Sequence, residues 1–92
     1  MILGFRCEDT RQLFETGSSR RWSAILTVAT RKLLMLHAAV ELRDLRSPPG
    51  NRLEALHGNR SGQHSIRIND QWRVCFVWTE AGPDQVEIVD YH

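Results

Sequence analysis

The chain has 92 residues, 41% of them hydrophobic and 25% charged, with a net charge of +1, which describes a single compact domain, residues 1–92, with a small core. A chain of this size buries roughly 60–70% of its unfolded surface, so few residues remain to wall a deep cavity, which argues against a dinucleotide-binding enzyme or a TIM barrel. No apolar run approaches the roughly 18 residues that span a membrane, and Arg6, Glu8 and Asp9 interrupt the N-terminus where a signal peptide is apolar, so the expectation is a cytoplasmic protein with no membrane partner.

Met1–Phe5 reads as a short strand, followed by Asp9 as the N-cap of a helix over residues 10–14. Gly17-Ser18-Ser19 is a loop. Ser23 then caps a second helix to about Ala39, in which Trp22, Ile25, Leu26, Ala29, Leu33 and Leu36 recur at spacings of three and four. Such a stripe is ordinary core. Glu41–Leu45 adds a helical turn before Ser47-Pro48-Pro49-Gly50, where paired prolines exclude helix continuation. After Gly50 the period changes. Asn51–Leu56 is short and mixed, and His57–Gly62 is a loop of turn formers. Gln63–Ile68 alternates, and Asn69-Asp70 makes a tight hairpin turn into Gln71–Trp78. In that strand Trp72, Val74, Phe76 and Trp78 point one way, and Arg73, Cys75 and Val77 the other. Ala81–Asp84 forms another turn before a terminal strand, Gln85–Tyr91. The predicted class is α+β: an N-terminal strand and two helices on one face of a curved antiparallel sheet, the other face partly open to solvent or a partner.

The small net charge conceals an uneven distribution. Lys32 is the single lysine against eleven arginines; arginine matches phosphate geometry and stacks on bases, although a GC-rich coding sequence produces the same bias. From Arg43 to Arg73 there are six arginines and three acids, whereas Val74–His92 holds four acids and no Lys or Arg. Arg67 and Arg73 flank the predicted hairpin turn, and for each alone a solvated strand face is the favoured reading. Asp90-Tyr91-His92 gathers a carboxylate, a phenol and an imidazole at one sheet corner. Cleavage of RNA by its own 2′-hydroxyl needs a proton acceptor, a cation for the phosphorane and a proton donor for the departing 5′-oxygen. It needs no metal. Glu87 with Asp90 is too thin a set for a metal-dependent nuclease, and Cys7 and Cys75, far apart and outside any metal or redox spacing, read as reduced thiols. Neither a metal nor another cofactor is expected.

Three blocks then carry a resemblance: Leu45–Leu56 (LRSPPGNRLEAL), Gly58–Gln63 (GNRSGQ) with Ser65–Arg73 (SIRINDQWR), and the closing Val86–His92 (VEIVDYH). Together they resemble the HigB-type toxins of the RelE/ParE superfamily, in their GraT-like branch, over the whole chain. The resemblance implies two helices on a curved antiparallel sheet, and a type II toxin that enters the ribosomal A site and cuts mRNA. It implies a cognate helix-turn-helix antitoxin of the HigA/GraA type, the 70S ribosome and mRNA as partners, and operator DNA only through the antitoxin. Arg73, Asp90, Tyr91 and His92 match positions that the family uses for catalysis and for holding the scissile phosphate. Glu54 stands where some members have a catalytic histidine, and His57 where the family has a lysine, which leaves Glu54, His57 and His92 as alternative bases. Arg52, His57, Arg60 and Arg67 are the expected RNA contacts. The alternatives are a gyrase-directed relative, an inhibitor of ribosome assembly, or a co-repressor module that binds the antitoxin.

Overall fold

The two helices and the three C-terminal strands fall where the two periodicities place them, with different ends, whereas the N-terminal run contributes a bridging residue and no strand. In the computed structural model, which describes residues 1–90, α1 spans Glu8–Thr16 and α2 spans Leu26–Ala38. Cys7, not Asp9, is the N-cap of α1, and its carbonyl accepts from Arg11 N at 3.1 Å. Asp9 sits inside the first turn beside Glu8, where carboxylates favour the positive end of the helix dipole. Gly17 closes α1 in the left-handed conformation, φ 74°, which glycine adopts without steric cost. Ser23 likewise is no cap: Ser23–Ile25 forms a 3₁₀ turn and α2 starts at Leu26. Of the predicted core stripe, Ala29, Leu33 and Leu36 on α2 and Trp22 ahead of it are buried, while Ile25 and Leu26 are half-buried. Leu42–Arg46 is a 3₁₀ turn, and Pro49–Asn51 forms another, since a proline in the first turn loses no needed N–H.

β1 (Glu54–Ala55), β2 (His64–Arg67), β3 (Trp72–Thr79) and β4 (Gly82–Asp90) form a four-stranded antiparallel sheet in sequence order. The first hairpin turn is longer than predicted. Ile68 N and Asn69 N both donate to the Trp72 carbonyl, while Asn69 Oδ1 accepts from the N–H groups of Gln71 and Trp72, each at 2.8 Å. This side-chain turn makes the connection Ile68–Gln71. The second hairpin is tighter than predicted: Glu80-Ala81 is the turn and β4 begins at Gly82. Met1–Phe5 is extended but joins the sheet by a single parallel bridge, Phe5 to Val86, with Leu3 N donating to Pro83 O and Val86 N to Gly4 O.

The core lies between one sheet face, carrying Ile66, Val74, Phe76, Val86 and Ile88, and the helices, which contribute Leu13, Leu33 and Leu36. The other face is partly open, as expected, with Glu54 exposed and Arg67 and Glu87 half-buried, but its centre is closed. Ser65, Arg73 and Cys75 on that side are all buried, because the chain from Arg52 to Gln63 folds over it: the Arg52 carbonyl meets Arg73, and Arg60 reaches Glu87 on β4. No helix among the described residues is long and apolar enough to cross a membrane.

Candidate active site

Strand alternation and register place two rows of side chains on the second face. One row runs Glu54, Ser65, Cys75, Glu87 and the other Arg67, Arg73, Val89. Arg73 lies at the centre, 8% exposed. Its Nε donates to Ser65 Oγ at 2.7 Å, and its Nη2 to the Arg52 carbonyl at 2.6 Å and the Ser65 carbonyl at 3.4 Å. Glu54 Oε1 stands 3.8 Å from Nε. A buried guanidinium is tolerable only when such acceptors replace its water, and here they also fix its direction. The reading of Arg73 as a solvated strand residue is therefore corrected.

The other predicted positions surround this centre unequally. Arg52 contributes its backbone, in the left-handed region at φ 46°, while its exposed side chain stays outside the cluster. Arg67 is the cross-strand neighbour of Arg73, half-buried and ion-paired to the fully exposed Asp70. Arg60 bonds Gln63 Oε1 at 3.2 Å and lies 3.6 Å from Glu87, which Arg6 approaches on another side at 3.4 Å. His57 is exposed at the head of the Gly58–Arg60 turn. Asp90 pairs with Trp72, so alternation directs it to the face opposite Arg73; its Oδ2 accepts from Gln71 Nε2 at 3.2 Å. Tyr91 and His92 lie outside the described residues. Glu54, Arg52 and Arg73 are thus brought into one cluster, with Arg67 and Arg60 on the same face.

Sequence reasoning missed Ser65, which alternates with Arg67 on β2 and so shares its face; that spacing was a usable signal. It also missed the charge ring around Cys75, whose thiol is pushed up to about 11, chiefly by burial. Cys7 is half-buried, Cys75 is buried, and the two are not joined. Beside Glu54 a cleft of about 410 Å³ opens between Leu42, Arg43, Arg46, Leu53, Ala55 and His64. The described residues hold no group of three or more His, Cys, Asp or Glu arranged to bind a metal ion.

Two helices on a four-stranded antiparallel sheet make an α+β fold consistent with the RelE-like toxins. The family model for the RelE-like toxin of the type II toxin–antitoxin system HigB matches residues 3–92. The chain is 43% identical over 82 residues to Toxin HigB-1 of Vibrio cholerae serotype O1, covering 87% of this chain and 86% of that protein. An uncharacterized protein of Haemophilus influenzae is also 43% identical, over 76 residues, 80% and 75% of the two chains. The chain belongs to the HigB-like family of RelE-like toxins. It is the toxin of a type II pair, and a cognate antitoxin is its partner.

Proposed function

We propose that this toxin cuts mRNA in the A site of a translating ribosome, by acid–base chemistry without a metal. The supporting observation is Arg73, held by Ser65 and the Arg52 carbonyl and 3.8 Å from a carboxylate. A preorganised cation costs no rearrangement when charge develops on phosphorus. In the proposed reaction the base, Glu54, His57 or His92, takes the 2′-hydroxyl proton. The 2′-oxygen bonds to phosphorus, the bond to the 5′-oxygen breaks, and an acid protonates that oxygen. The products are a 2′,3′-cyclic phosphate and a 5′-hydroxyl.

Arg73, aided by Arg67, stabilises the phosphorane, Tyr91 stacks or hydrogen-bonds, and Asp90 orients its neighbours. Glu54, with its side chain 45% exposed, is open to substrate while facing Arg73. Arg67 is held by a fully exposed partner and exchanges that ion pair for phosphate at little cost. Arg52, His57 and Arg60 contact RNA around the centre. The ribosome aligns the codon, which places the protein in the cytoplasm, and operator DNA is reached only through a helix-turn-helix antitoxin. Primer extension on mRNA from cells expressing the toxin should show cuts within codons, with cyclic phosphate ends. Uncut mRNA during growth arrest, or 3′-hydroxyl ends of water-driven hydrolysis, overturns the proposal.

A further inference from the structure

Lys32 is a charged group sunk into the helical layer, and nothing in the chemistry above uses it. It is 8% exposed, and its Nζ donates to Oδ1 of Asn51, which is fully buried. Asn51 Nδ2 donates in turn to the carbonyls of Leu45 at 3.2 Å and Ser47 at 3.4 Å. Backbone bonds Asn51 N to Pro48 O and Arg52 N to Pro49 O complete the turn. The next residue, Arg52, is held left-handed at φ 46°, ψ 54°, a conformation that side chains adopt only where their surroundings impose it. The carbonyl of that residue receives Arg73 Nη2 at 2.6 Å. One chain of contacts therefore runs from α2 to the guanidinium on the far side of the sheet.

Burying a lysine for stability alone is poor economy, because an apolar pair of equal volume serves as well. What a lysine and an asparagine supply here is direction: each bond fixes one atom of the turn. We propose that Lys32 and Asn51 are positioning residues for mRNA cleavage, clamping the Pro49–Arg52 turn to α2 and thereby holding the Arg52 carbonyl that aims Arg73. The proposal rests on the phosphate-directed role of Arg73 given above.

The test is single-turnover cleavage of a defined mRNA on programmed ribosomes, at varied ribosome concentration, with thermal melts of each variant. Lys32→Met keeps the volume and removes the donor. The saturating rate should fall roughly 10- to 100-fold, the effect of a misplacement near 1 Å, while the half-saturating ribosome concentration changes less than about 2-fold, since no ribosome contact is lost. Asn51→Asp, which keeps an acceptor for Lys32, should retain more activity than Asn51→Leu, and this pair decides the matter if Lys32→Met does not fold. In an Arg73→Lys background, whose amine is too short to bridge Ser65 and Arg52, Lys32→Met should add little, because the two act on one interaction. A wild-type saturating rate in Lys32→Met overturns the clamp. So does an effect confined to half-saturation, an equal slowing in the Arg73→Lys background, or equal loss in Asn51→Asp and Asn51→Leu. If Arg73→Ala itself cleaves normally, the reading of Arg73 fails, and the clamp falls with it.

Discussion

Thr10→Val isolates the bond that carries the sheet edge past the point where its neighbouring strand ends. Along this edge of β4, Val86 N donates to Gly4 O and Val86 O accepts from Arg6 N at 3.0 Å. The chain then turns away into α1, and Ile88 N donates instead to Thr10 Oγ1 at 3.1 Å. Thr10 is fully buried and Ile88 nearly so, so no water replaces the hydroxyl. Valine keeps the shape and leaves the amide without an acceptor, a cost of about 1–3 kcal/mol. For a domain of this size each kcal/mol lowers the melting temperature by about 4–8 °C, giving an expected drop of about 4 to 24 °C. Thr10→Ser keeps the acceptor and loses one methyl, about 1 kcal/mol. Hydrogen exchange should separate the two: the Ile88 amide loses protection in Thr10→Val and keeps it in Thr10→Ser. A Thr10→Val protein that melts at the wild-type temperature with Ile88 still protected refutes the reasoning.

Two further outcomes follow from the same contacts. Burial raises the Cys75 thiol from 9.0 to about 11, so the folded state favours the protonated form; its contribution is complete below pH 9 and is lost as pH rises through about 11. The melting temperature should fall across that window more steeply in the wild type than in Cys75→Ala, and equal slopes contradict the assignment. At Gly82, φ 134°, an added Cβ would collide with the Met1 carbonyl oxygen. Gly82→Ala should therefore detach the start of the N-terminal segment, read as a lowered melting temperature and as proteolysis near Leu3; a wild-type melt with no new cleavage contradicts it.

Both helices and the three C-terminal strands were legible in the sequence because local patterns decide them. Ala29, Leu33 and Leu36 mark α2 by spacing alone, and Val74 and Phe76 mark the core face of β3. Their ends were not legible, since these depend on single hydrogen bonds: Asn69 Oδ1 lengthened one turn, and Cys7 displaced Asp9 as the cap of α1. Arg73 was legible as a candidate, but its burial was not, because the residues that cover it, Arg52 to Gln63, reach it through the fold and not through spacing. The pairing of Lys32 with Asn51, 19 residues apart, left no periodic trace at all. Asp90 was grouped with Arg73 by the family resemblance alone, yet the register with Trp72 directs it to the other face.

The central claim is that a buried, fixed Arg73 stabilises the phosphorane, and Arg73→Ala tests it most directly. In a reconstituted translation system with one defined mRNA, the single-turnover cleavage rate should fall about 10²- to 10³-fold, the usual effect of removing one preorganised donor to a developing oxyanion. Binding of the variant to its antitoxin should persist, which separates a loss of chemistry from a loss of fold. Cleavage at the wild-type rate by a folded, antitoxin-binding Arg73→Ala protein would contradict the account.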